Sequence, residues 1–222
     1  ASQTAASLLY GPKHPYGYVD IGTEASVAAI ARQEMQSFWQ RHFVPNNAAL
    51  VVSGDISMGE LNAAAQKAFG AWPRGTVASR PSPETVPVTP RIVIVNKPGA
   101  PQTQLRVTTI GAPRSTSDYA AVRVMNQVLG GLFNSRINFN LREAHGYTYG
   151  ANSQFVFRRG PGPFAITSGV RTDVTAPAVS EILSEIRKIR ETPIGEDELT
   201  EGRNSLSRSL PANFETNEST VG

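Results

Sequence analysis

The chain contains no cysteine. Disulfide staples, thiol nucleophiles and Cys-ligated metal sites are therefore excluded, and the redox compartment stays open. Histidine is scarce as well. His14, His42 and His145 are the full set, and no two lie three to five residues apart. A helix-borne pair of imidazole ligands is absent. No apolar run approaches the ~20 residues that a membrane-spanning helix needs. An excess of one charge is missing too, with 21 basic against 18 acidic side chains. The basic residues are spread along the chain, so neither a nucleic-acid stripe nor a polybasic membrane patch is legible.

What is present is a foldable length of 222 residues, 40% of them hydrophobic. That suffices for one large domain or two small ones with real cores. Residues 1–22 are small and polar around Tyr10-Gly11-Pro12-Lys13-His14-Pro15-Tyr16-Gly17. Prolines and glycines this dense predict a loop with aromatic anchors. Thr23 is placed to cap a helix over 24–30, and 31–43 carries Met35, Phe38, Trp39 and Phe43 on one helical face. Pro45-Asn46-Asn47 turns the chain into an apolar run, 48–55, that reads as a buried strand. Ser57 caps a further helix, 58–69, ended by Gly70. Prolines 73, 81, 83, 87 and 90 then mark an extended linker over 73–90.

A new domain is expected from Arg91. Strands are predicted over 92–95 and 102–110, followed by a helix that Thr116, Ser117 or Asp118 caps. Tyr147–Phe157 and Phe164–Val170 should form a hairpin around a turn rich in Gly and Pro. Asp173 should cap a long helix with Val179, Ile182, Leu183, Ile186 and Ile189 on one face, and a last helix should run from Glu196 to about Leu210. Helix, hairpin and long helix in this order fit an α+β fold, a mostly antiparallel sheet with helices packed on one face.

The most informative stretch is Gly130–Gly150, GGLFNSRINFNLREAHGYTYG. Phe133, Ile137 and Leu141 recur every four residues, the spacing of an amphipathic helix. Gly146 can end it, because glycine accepts the left-handed conformation of a helix stop. Tyr147 and Tyr149 should then share one side of the following strand. Arg142 and Tyr149 can converge at this helix–strand corner. The residues alone also allow a plainer reading, in which Arg142 pairs with Glu143 on a solvated face and Tyr149 is an ordinary strand aromatic.

Ser135-Arg136-Ile137, Leu141-Arg142-Glu143, Gly146 and Tyr149 resemble, in order and spacing, a segment of the insulinase-like (pitrilysin or mitochondrial processing peptidase type) zinc peptidases. His14-Pro15-Tyr16-Gly17 followed by Ile21-Gly22-Thr23 resembles the same family, as does the order aromatic helix, Pro-Asn, apolar strand, Gly-Asp, helix, Phe-Gly-x-Trp over 32–72. The resemblance implies three parts. Residues 1–72 would close a first peptidase-like domain, 73–90 would be the linker, and 91–222 would be most of a second, non-zinc domain. It also implies that Arg142 and Tyr149 hold the peptide substrate.

The family's chemistry requires H-x-x-E-H on a helix, with the Glu as general base and a distal Glu completing the zinc ligands. Counted from His14, both would lie upstream of Ala1. No catalytic residue and no metal ligand is therefore expected in this chain. Zinc is expected in the parent protein or in a partner, and the chain alone is expected to be inactive. Both ends suggest an excised piece of a longer protein. Other chemistries find no support: Ser168-Gly169 lacks the leading glycine of a nucleophile elbow, and Gly130-Gly131 lacks the G-K-[ST] of a phosphate loop. Asp55, Asp118 and Asp173 read as turn or cap residues, and Glu196, Asp197, Glu198 and Glu201 as a solvated helix start.

The resulting expectation is the substrate-contacting, non-zinc portion of a zinc metallopeptidase that hydrolyses peptides. The alternatives are a non-catalytic partner subunit, lending Arg142 and Tyr149 to a zinc-bearing chain in a homo- or heterodimer, and a binding module with no peptidase role. Similarity to bacterial secreted members and the lack of Cys point to the periplasm.

Overall fold

The computed structural model describes residues 2–18, 20–77, 79 and 89–221. Along the chain run α1 (Ser2–Tyr10), α2 (Glu24–Ala28), α3 (Arg32–His42), α4 (Met58–Phe69), β1 (Gln102–Ile110), α5 (Tyr119–Asn126), α6 (Arg136–Asn138), β2 (Thr148–Phe155), β3 (Pro163–Arg171), α7 (Thr175–Glu191), α8 (Glu196–Ser209) and α9 (Asn217–Val221). Helices α5 and α6 continue into π-helical turns over Gln127–Gly131 and Phe139–Ala144. Two compact units result, Ala1–Tyr18 with Ser82–Arg208, and Val19–Pro81 with Ser209–Gly222. Most of the proline-rich segment, including prolines 81, 83 and 87, lies outside the described residues.

The first unit is α+β. Its sheet has the order β1-β3-β2, antiparallel throughout, with β3 in the centre. Strand β3 alternates strictly, so Phe164, Ile166, Ser168 and Val170 all face inward. Onto that face pack Leu129, Ile137 and Leu141 from the α5–α6 region and Ala178 and Ile182 from α7. Ile137, Ile166, Val170 and Ile182 are fully buried. Each such side chain contributes about 1.5–3 kcal/mol through apolar burial. The face of α7 that is buried runs through Ala178, Ile182 and Glu185, while Leu183 is 47% exposed. The apolar spacing of α7 fixed its helical period, but the buried stripe lies further toward Ala178 and takes in a carboxylate.

Residues 2–10 form a helix ahead of the expected loop, because Ala, Gln, Ser and Leu carry no strong helix penalty and Leu9 finds a buried site. The anchors expected after it are real. Tyr10 Oη donates to Pro161 O at 3.0 Å, and Tyr16 Oη accepts from Gly160 N at 3.0 Å. The segment is thereby pinned to the β2–β3 turn.

The second unit rests on local devices. Thr23 and Ser57 cap α2 and α4 through reciprocal capping boxes with Ser26 and Glu60. Asn46 clasps Gly75 through both its amide groups, at 2.8 and 3.0 Å. Val44 packs so closely there that a Cβ on Gly75 would lie 2.5 Å from Val44 Cγ1. The strand expected over 48–55 is not formed, nor in the first unit is the one over 92–95. An apolar run becomes a strand only where a neighbour completes its hydrogen-bond ladder. Among the described residues neither run has one, and Leu50, Val51, Ile92 and Ile94 are exposed.

Candidate functional site

The corner over residues 130–150 is built on a close approach. Gly130 lies against β2, and a Cβ there would fall 2.5 Å from Ser153 Oγ. Asn126 secures the same strand, donating to Ser153 O at 3.0 Å and accepting from Ser153 Oγ at 2.9 Å. The chain then turns through Leu132–Asn134 and enters α6 at Ser135, whose carbonyl accepts from Phe139 N. Ile137 and Leu141 drive the helix into the core as expected. Phe133 does not join them. It precedes the helix and is 70% exposed.

Polar bonds hold α6 from three directions. Arg136 reaches Glu198 on α8 with two hydrogen bonds, Nε–Oε1 2.6 Å and Nη2–Oε2 2.5 Å. This bond holds the Glu198 carboxyl below the ordinary range and raises the Arg136 guanidinium. Glu198 is therefore an anchor and not the solvated residue that its place in an acidic first turn suggests. Asn140 Nδ2 donates to Glu181 and Glu185, the latter buried and bonded to Lys188 Nζ at 2.7 Å. Asn138, also buried, donates to Phe133 O and accepts from Ala151 N at 2.9 Å. One side chain thus ties the Phe133 turn to the strand that carries Tyr149. Nothing in the sequence marks it, since an asparagine inside an apolar helical pattern reads as a surface residue.

Gly146 ends the helix at φ +60°. Gly146 N donates to Arg142 O, the single bond of an αL helix stop, and Tyr147 N reaches one residue further back to Leu141 O. Tyr147 packs on the core edge and stacks on His145 at 4.9 Å. Tyr149 does not share its side. The β2 register shifts between Thr148 and Ala151, and Thr148 Oγ1 and Ser168 Oγ bond inside this irregularity. Bulges break the two-residue alternation and re-aim a side chain. Tyr149 emerges 89% exposed and bonds to no described residue.

Arg142 leaves the last helical turn with its Cζ 4.5 Å from the Phe133 ring centroid and its Nε 3.5 Å from Glu143 Oε1. Both contacts are exposed and individually weak, roughly 0.2–1 kcal/mol each. They aim the guanidinium without saturating its five donors. No hydrogen bond or ring contact joins Arg142 to Tyr149. The corner therefore presents an exposed cation and an exposed phenol, both able to donate to carbonyl oxygens.

The histidines serve locally. His14 Nδ1 accepts from Tyr16 N at 3.0 Å, inside a buried stack with Tyr10. His42 lies 4.5 Å from the Phe38 ring, and His145 sits 3.9 Å from Glu181. Among the described residues no three His, Cys, Asp or Glu side chains form a group that could hold a metal. These residues do not fit a zinc ion.

Residues 29–206 match the family model described as the peptidase M16 inactive domain. An uncharacterized zinc protease of Mycobacterium leprae is 28% identical over 81% of this chain and 43% of its own length. The zinc protease YmxG of Bacillus subtilis is 23% identical over 96% of the chain and 51% of its own length. A crystal structure of a peptidase M16 inactive domain from Pseudomonas fluorescens superposes with a TM-score of 0.91 at 26% identity, covering 100% of this chain and 52% of that one. A Helicobacter pylori protease shares the fold, with a TM-score of 0.79 at 20% identity over 94% of this chain and 52% of its own. The chain spans about half the length of the curated relatives it matches.

Proposed function

Because this chain belongs to the peptidase M16 inactive-domain family, we propose that it is the substrate-contacting, non-zinc portion of a zinc metallopeptidase that hydrolyses peptides. The hydrolytic centre, with its zinc, belongs to another part of the parent or to a partner subunit. In this reading 1–72 close a first domain, 73–90 link it to a second, and 91–222 belong to that second domain; the compact units group the chain differently, with Ala1–Tyr18 alongside the later part and Ser209–Gly222 alongside the earlier.

The observation that carries this reading is the exposed pair at the corner. A peptide bound in extended form presents a row of carbonyl oxygens. Arg142 can give two donors in a fork, and Tyr149 one donor from a phenol that no described residue bonds. The Phe133 ring and Glu143 bias the guanidinium toward one direction, which lowers the side-chain freedom lost on binding. Together the two groups orient the chain of the substrate.

Steady-state kinetics of the complete peptidase test this. Arg142→Ala should raise KM about tenfold and Tyr149→Phe about threefold, the loss of one to two hydrogen bonds to a peptide, with the melting temperature unchanged. Unaltered kinetic constants in both variants would remove the pair from the substrate site.

A further inference from the structure

At the other end of the sheet, cations that are remote in sequence are gathered at one place. Arg114 N donates to Arg158 O at 2.8 Å, which sets the β1–α5 loop beside the β2–β3 turn. The Arg114 guanidinium lies 3.7 Å over the Tyr119 ring, with Arg123 5.7 Å from the same ring. The Arg158 guanidinium lies 4.6 Å over Tyr16. Arg159 follows on the turn, and Lys13 sits on the loop that Tyr10 and Tyr16 pin to it. Burial pushes the Tyr10 phenol up to about 12, so this anchor stays a neutral donor.

None of the five cations makes an ion pair among the described residues. Asp118, the acid nearest in sequence, meets Ser117 instead. The imbalance is regional: residues 89–172 hold ten basic side chains and two acidic ones, Asp118 and Glu143. A guanidinium stacked on an aromatic ring has a set plane and free N–H edges, which suits planar carboxylates.

We propose that this arginine–tyrosine end of the first unit is a docking surface for an acidic polypeptide segment. A nucleic acid is the poorer fit. It would need open ring faces for base stacking, and guanidiniums already occupy Tyr119 and Tyr16. The proposal does not depend on Arg142 or Tyr149.

The test is fluorescence anisotropy with the full chain and a short labelled peptide alternating glutamate and glycine. The glutamate peptide should bind at least about tenfold more tightly than its glutamine counterpart, and binding should weaken between about 0.03 and about 0.3 M salt. Arg114→Gln with Arg158→Gln should weaken it about tenfold. Arg159→Glu should weaken it similarly; Arg159 stacks on no ring, so this variant carries the test if the double variant fails to fold. Arg187→Gln with Arg190→Gln, on α7, should change nothing. Absence of binding, or an equal loss in the α7 pair, would overturn the proposal. So would displacement of the peptide by oligothymidylate or polyphosphate at lower concentration than by free glutamate peptide.

Discussion

The two units use similar residues to opposite ends. In the first, Ile137, Ile166, Val170 and Ile182 vanish from solvent between sheet and helices. In the second, α3 and its C-terminal end carry an apolar face, yet Met35, Phe38, Trp39 and Phe43 are each more than half exposed, and among this unit's described residues Val44 is the one buried apolar side chain. Helical period therefore says which residues share a face and not whether that face is covered. Packing stabilises the first unit. Caps, turns and the Asn46–Gly75 clasp shape the second.

This contrast can be broken most forcefully in the core. Ile166→Ala should cost about 2–5 kcal/mol in urea unfolding, from lost transfer energy plus a cavity. Phe38→Ala should stay within about 0.5 kcal/mol, because no buried contact is lost. Comparable losses at both sites would show that α3 is covered in solution. A smaller effect is expected at Gly130→Ala, about 1–3 kcal/mol, since the methyl group must displace Ser153. Smaller again is Ser57→Ala. It removes a cap worth about 1 kcal/mol and should speed hydrogen exchange in α4 while leaving β3 untouched.

The smallest effect is a pH dependence. Glu198 has its folded-state pKa depressed, mainly by the hydrogen bond from Arg136. Its contribution is present above the unfolded carboxyl pKa, about 4.3, and is lost as pH falls through the lower folded value. Urea midpoints measured from about pH 5 down to about pH 3 should fall less steeply for Glu198→Gln than for the parent chain. Parallel slopes would mean that the Arg136–Glu198 bond is open in solution.

Much of this was legible in the sequence because it is local. Alternation placed β1 at Gln102–Ile110, side-chain oxygens placed the caps at Thr23 and Ser57, and Gly146 stopped its helix in the left-handed conformation. What was hidden depends on distant partners. The runs 48–55 and 92–95 have strand composition but no ladder neighbour. Phe133 fits a helical stripe but lies before the helix, as a platform for Arg142. The bulge that frees Tyr149 comes from Thr148 and Ser168, nineteen positions beyond Tyr149 in the case of Ser168. The basic end joins three segments, none of which is a charge run.

Hydrogen exchange in the complete peptidase, with and without a hydrolysis-resistant peptide, tests the central claim most directly. If Arg142 and Tyr149 hold substrate, amides over 142–151 should exchange several-fold more slowly with peptide bound, while those of α3 stay unchanged. Peptide that binds and protects other segments, leaving 142–151 as it was, would contradict the account.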